Sequence, residues 1–113
     1  MRKTLLAAPL ALVACAQPPE TIAASYVPEV TFYTLSCQDI GNEQRRVDVA
    51  LVTASAQQQQ ARSNDIAGVI FLGLPMGSMS GQNVAPQIAQ LRGTREALDR
   101  AAVRARCGVV PSA

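Results

Sequence analysis

The sequence has no histidine and no tryptophan, and aromatic side chains make up only 4% of it: Tyr26, Phe32, Tyr33 and Phe71. Without histidine, the commonest general base, proton shuttle and metal ligand are missing at once. Ser and Asp side chains are then the only conceivable catalytic agents, and no organised base accompanies them. The expectation is a protein that is not an enzyme. Cysteines far apart in the chain, with no histidine beside them, offer too few ligands for a metal ion, so neither a metal nor a cofactor is expected.

An excess of charge is also missing. The formal net charge is +2, but two of the 10 basic residues, Arg2 and Lys3, stand at the extreme N-terminus, and without them the basic residues equal the 8 acidic ones. A chain so balanced lacks the basic face of a nucleic-acid binder, and that class of partner is set aside. The chain is long enough for one domain with a small core, for which a disulfide or a partner is a natural staple.

Long apolar runs are absent as well. The stretch from Leu5 to Val13, at about ten residues, falls short of the roughly 20 that a membrane-spanning helix needs. Preceded by Met1-Arg2-Lys3 and followed by small residues, it reads as a cleavable signal peptide over residues 1–14. Its exit, Leu12-Val13-Ala14-Cys15, resembles the lipobox of bacterial lipoproteins. The resemblance implies cleavage between Ala14 and Cys15 and acylation of Cys15, so that membrane lipid becomes a partner through the N-terminal acyl groups. Residue 16 is Ala rather than the Asp associated with inner-membrane retention in enteric bacteria, which points to the outer membrane, facing the periplasm. Ala14-Cys15-Ala16 also fits an ordinary signal-peptidase site cutting before Gln17, and that alternative releases a soluble periplasmic protein.

Residues 15–35 carry Pro18, Pro19 and Pro28 without a helical period and read as an extended tether behind the lipidated N-terminus. Within them, Val30-Thr31-Phe32-Tyr33 has strand-like composition, and its aromatics either lean on the helices that follow or form a short strand or partner-binding arm. Ser36 followed by Asp39 resembles a capping box and opens a helical stretch. Cys37, Ile40, Gln44, Val47, Leu51, Ala54, Gln58, Ala61 and Asp65 recur at steps of three and four, a heptad seam with polar interruptions. A second helix is expected from about Val84 to Arg106, with Pro86 in its first turn and Ile88, Leu91, Leu98, Ala102 and Ala105 on its apolar face, interrupted by Arg95. Glu96 and Arg100 are spaced for an ion pair, and Gly108 supplies a stop.

Cys37 opens the first helix and Cys107 closes the second. In an antiparallel hairpin the two lie at one end, and their midpoint falls at Leu72, beside Gly73 and Pro75. An exported chain meets an oxidising compartment, so a Cys37–Cys107 disulfide is expected. The fold class that follows is all-α: a two-helix, coiled-coil-like antiparallel hairpin over 36–107, closed by the disulfide, with a C-terminal tail over 108–113.

No charged residue occurs from Ile66 through Leu91, and the hairpin tip, near 66–81, is strongly apolar. Ile66, Val69, Ile70, Phe71, Leu72, Leu74 and Met76 are therefore the candidate contact residues, for an envelope protein, a second copy or a bilayer, unless the tip folds back on the tether. Pro75 and the glycines break the segment too early for a transmembrane helix. Gly73, Gly77 and Gly81 are spaced like a membrane-helix packing face, but with Pro75 inside the repeat a turn is the safer account.

Ser36-Cys37, Asn64-Asp65, the run from Gly68 to Pro75, Leu91-Arg92-Gly93, Ala97-Leu98 and Cys107, taken in order behind the lipobox, resemble a family of small proteobacterial outer-membrane lipoproteins. Arg92 stands where that family usually has Lys, which keeps the charge. No activity is established for the family, so the resemblance implies location and architecture but no mechanism. The function expected is that of a non-enzymatic envelope lipoprotein acting through protein association at its tip, with insertion of the tip into lipid, perturbing or bridging bilayers, as the alternative.

Overall fold

The structure, a computed structural model, describes residues 15–108; the expected signal peptide over 1–14, with Ala14 at the expected cleavage site, and positions 109–113 of the expected tail lie outside the described residues. The chain is all-α, 71% helical, with its two long helices packed together and no strand among the described residues. Helix α1 spans Cys37–Leu72, a single turn α2 spans Met76–Met79, and α3 spans Ala85–Arg104; 3-10 turns at Pro19–Thr21 and Glu29–Phe32 precede them.

The heptad seam explains α1. Ser36 Oγ accepts the Asp39 amide at 3.1 Å, and its carbonyl accepts the Ile40 amide at 2.9 Å, so the first orphan donors of the helix are capped as the sequence indicates. Ile40, Val47, Ala54, Gln58, Ala61 and Asp65 are all buried, with Gln44 and Leu51 half-buried between them. Helix α3 starts at Ala85, with Pro86 in its first turn, and ends at Arg104 rather than Arg106, which lies at φ 56° outside the helix. Its buried face is Ile88, Gly93, Ala97, Leu98 and Ala101; Leu91 and Ala102 are half-buried, and Ala105, expected on that face, is exposed beyond the helix end.

Two compact units are formed by pieces of chain that are distant in sequence. In one, here called unit 2, residues 23–54 meet residues 86–108. Its core is Ile40, Val47, Leu98 and Ala101, flanked by Phe32, Leu35, Leu51 and Leu91. The Cys37–Cys107 disulfide is formed, with Cα atoms 5.1 Å apart. Gln44 Nε2 donates to Asp99 Oδ1, and Arg95 reaches Asp48 at 2.8 Å, so partner numbers fall along α3 as they rise along α1.

In unit 2 one open alternative is decided and one expectation is corrected. Val30–Phe32 lie in a 3-10 turn rather than a strand: the Pro28 carbonyl accepts from the Thr31 amide, the Val30 carbonyl accepts from the Tyr33 amide, and no neighbouring strand supplies a ladder. The aromatics lean on the helices, as in the first of the two readings the sequence allows, Phe32 against the core and Tyr33 under the Arg104 guanidinium at 3.5 Å. Arg100 also chooses a different partner from Glu96: it bonds Glu29 Oε2 at 3.0 Å and the Val27 carbonyl at 2.9 Å, satisfying two guanidinium donors where a single helical ion pair satisfies fewer. The Glu29 carboxyl is held below its ordinary range by a backbone amide and by Arg100.

The other unit, unit 1, joins residues 15–22 to residues 55–85. Ala16, Pro19 and Ile22 are buried in it, with Ala61 and Val84. The segment expected to be an extended tether is therefore packed, and the same is true of its continuation in unit 2, where the Ser25 amide donates to the Ala89 carbonyl at 2.9 Å. Gly93 makes that approach possible: a Cβ there would collide with the Ser25 carbonyl oxygen. The glycines thus allow close backbone contact as well as turning the chain.

Candidate functional site

Unit 1 gathers the features on which a function was expected to rest. Its centre is Asp65, a seam residue with no solvent exposure. One carboxylate oxygen, Oδ2, accepts the Ala16 amide at 2.7 Å and the Ser78 hydroxyl; the other, Oδ1, accepts the Ser78 amide at 2.6 Å. Burial raises the pKa of such a carboxyl, but the donors from Ser78, Ala16 and Gly77 together outweigh it and hold Asp65 below its ordinary value. A charged group is thus buried with its acceptor sites filled, the condition under which burial is tolerated.

About two helical turns earlier on α1, Gln58 makes a parallel lock. It is fully buried, donates from Nε2 to the Gln17 carbonyl at 3.0 Å and accepts the Val84 amide on Oε1 at 2.7 Å. Gln58 and Asp65 therefore pin the residues directly after Cys15 on one side and, on the other, Ser78 of α2 and Val84 of the α2–α3 connection. Cys15 itself is half-buried at the start of this docked segment.

The apolar candidates lie at the end of α1 and just beyond it. Ile66, Val69, Ile70, Phe71, Leu72, Leu74 and Met76 are all exposed, Phe71 most of all at 82%, and Met79 joins them at 64%. Most of the expected tip is helix rather than loop, because α1 continues through Leu72; Gly73, at φ 71°, closes it with its amide on the Val69 carbonyl. The tip does not fold back to hide these side chains. Beside them, Ala67, Gly68, Phe71, Leu72 and Met76 line an open groove, together with Asn64 and Gln82, which share a 2.6 Å hydrogen bond.

No protein-family model, curated protein or solved structure matches this chain. Its own geometry must supply the argument. Among the described residues no group of His, Cys, Asp and Glu is arranged to hold a metal ion, and no helix is long and apolar enough to cross a membrane.

The sequence reading named Asp65 and Gln58 as seam positions and missed what they hold. The signal was there: polar residues at buried heptad positions need partners, and the partners had to come from outside the seam. Ser78 and Met79 gave no comparable sign, since their roles depend on the path of the turn after Gly73.

Proposed function

We propose that this chain is a non-enzymatic envelope lipoprotein, anchored in the outer membrane through acyl groups on Cys15, that acts by contact through the apolar end of unit 1. It joins a membrane-tethered N-terminus to an antiparallel pairing of α1 and α3 closed by Cys37–Cys107. The lipidation rests on the leader and lipobox-like exit of the sequence.

The observation that supports a contact role is the hydrogen bond from the Ala16 amide to Asp65 Oδ2. It holds the residue after Cys15 in the same unit as eight exposed apolar side chains, from Ile66 to Met79. A tether of free length would separate the anchor from the surface; this chain keeps them together. Protein association at the tip and contact with lipid are both compatible with an apolar surface, and the docked N-terminus favours lipid.

Metabolic labelling with radioactive palmitate tests the anchor. Label on the wild-type chain, lost in Cys15→Ser and retained when Cys37 and Cys107 are both replaced by Ser, is the expected result. An unlabelled wild-type chain, or label that survives Cys15→Ser, refutes the reading.

A further inference from the structure

We propose that the apolar end of unit 1 is a bilayer-docking surface, and that Ile66, Ile70, Phe71, Leu72, Leu74 and Met79 enter the same leaflet that holds the acyl chains of Cys15. The proposal rests on the lipidation of Cys15 and goes beyond it by naming the phase that covers the tip and the membrane to which that phase belongs.

Three observations carry it. The first is chemical: the 66–91 stretch has no charged side chain, so entry of its apolar part into a lipid phase does not bury a charge. The second concerns the backbone. A loop in water leaves amides to the solvent, but in hydrocarbon each unpaired amide is costly. Here every backbone N–H from Gly73 to Gln82, apart from that of the buried Gly77, has an internal acceptor. Gly73 and Leu74 donate to the Val69 and Gly68 carbonyls, Met76 to Leu74, Met79 to Pro75, Ser80 to Met76, Gly81 to Ser78 and Gln82 to Gly77. Ser78 donates to the Asp65 carboxylate, Gly77 is itself buried, and Pro75 has no N–H to satisfy. A segment that exposes large apolar side chains while leaving no amide for water is suited to a lipid phase.

The third observation is positional. Ala16 is bonded to Asp65, which directly precedes Ile66 and stands one helical turn before Val69. Acyl chains on Cys15 therefore leave the protein at the end of unit 1 that carries the apolar side chains. Lipid and side chains enter one leaflet, rather than the acyl groups holding one membrane while the tip seeks another. The surface lies in the interface as a monotopic contact, reaching about 5–10 Å into the boundary of headgroups and acyl chains.

The absence of tryptophan makes the test direct. Lipidated full-length protein carrying Phe71→Trp is reconstituted in phosphatidylcholine–phosphatidylglycerol vesicles, with Gln57→Trp as the comparison. Gln57 is an exposed α1 residue of the same unit, about 21 Å along the helix from Phe71 at 1.5 Å per residue. Bromine-substituted lipid in the same vesicles should quench the residue-71 tryptophan at least threefold more than the residue-57 tryptophan, with a blue-shifted emission for the former. Equal quenching at the two positions overturns the proposal. So does a blue shift at position 71 that depends on protein concentration and ignores bromolipid, which reports protein association. Quenching only when the bromolipid is in separate, added vesicles overturns it in favour of bridging. Palmitate labelling of the same preparation separates the two levels: labelled protein without quenching sinks the docking surface alone, whereas unlabelled protein sinks the lipidation reading and the proposal with it.

Discussion

Replacing Asp65 by Ala probes the contact that docks the segment beginning at Ala16. The side chain is fully buried and accepts from the Ala16 amide at 2.7 Å, from the Ser78 amide at 2.6 Å and from the Ser78 hydroxyl. Hydrogen bonds to a charged group contribute about 1.5–3 kcal/mol each, but three donors sharing one acceptor are not additive, and part of unit 1 relaxes toward water. The expected loss of folding stability is about 3 kcal/mol, read by urea unfolding. The more telling measurement is amide hydrogen exchange. Loss of even one such bond at Ala16 corresponds to about tenfold or more in local opening, since about 1.4 kcal/mol is a factor of ten. The Ser25 amide, bonded to Ala89 in the other unit, serves as the comparison and should change much less under conditions where the protein remains folded. An Ala16 amide that keeps its wild-type exchange rate in Asp65→Ala would refute the claim that this carboxylate holds the segment at Ala16 in place.

Other perturbations follow from the same contacts. Converting Cys37 and Cys107 together to Ser removes a crosslink between residues 70 apart in sequence, and on the chain-entropy account costs about 4 kcal/mol in urea unfolding; a loss below about 1 kcal/mol contradicts that account here. Gly93→Ala sets a methyl against the Ser25 carbonyl and should cost about 1–3 kcal/mol by overpacking, with faster exchange at the Ser25 amide; an unchanged unfolding midpoint counts against the close approach. Acid acts on Asp65 with a definite sign. Because its folded pKa lies below the ordinary 3.8, its contribution is complete above that value and is lost as pH falls below 3.8 through the folded pKa. Stability should therefore fall more steeply in that acid window for the wild type than for Asp65→Asn, and parallel pH profiles would exclude the effect.

Much of the helical architecture was legible because burial leaves a period. The steps of three and four from Ile40 to Asp65 mark the buried face of α1, and Ser36 and Gly73 mark its ends. The cysteine pairing was legible from the positions of Cys37 and Cys107 at helix ends. The course of residues 15–35 was not. Prolines reveal where a helix is disfavoured, but they do not say whether the chain is loose in water or laid against a neighbour. That choice is made by Ala16, Ile22 and Ser25 finding partners on helices distant in sequence, and by Gly93 having no side chain in the way. The exposed apolar residues were identified individually, whereas the pairing of the exposed amides from Gly73 to Gln82 depends on a turn geometry that no local pattern specifies.

The polar interruptions of the seam carry the deeper lesson, and Gln58 allows it to be tested. In a regular coiled coil, Leu at a buried heptad position improves the seam, and pattern alone recommends Gln58→Leu. In this structure Gln58 is fully buried and serves the Gln17 carbonyl with its amide nitrogen and the Val84 amide with its oxygen. Leu supplies apolar surface of similar volume but leaves the buried Val84 donor without a partner, at about 1–3 kcal/mol, and releases the part-buried Gln17 carbonyl. Burial of the Leu side chain returns about 1.5–3 kcal/mol, so the two effects nearly oppose, and the sign depends on whether residues 16–17 stay docked. If the seam residues act as locks, Gln58→Leu should be destabilising by about 1 kcal/mol or more in urea and should speed exchange at both Val84 and Ala16. A stabilised variant with both amides still protected would mean that the interruptions are merely tolerated by the seam, and that the N-terminal segment is held by its apolar residues instead.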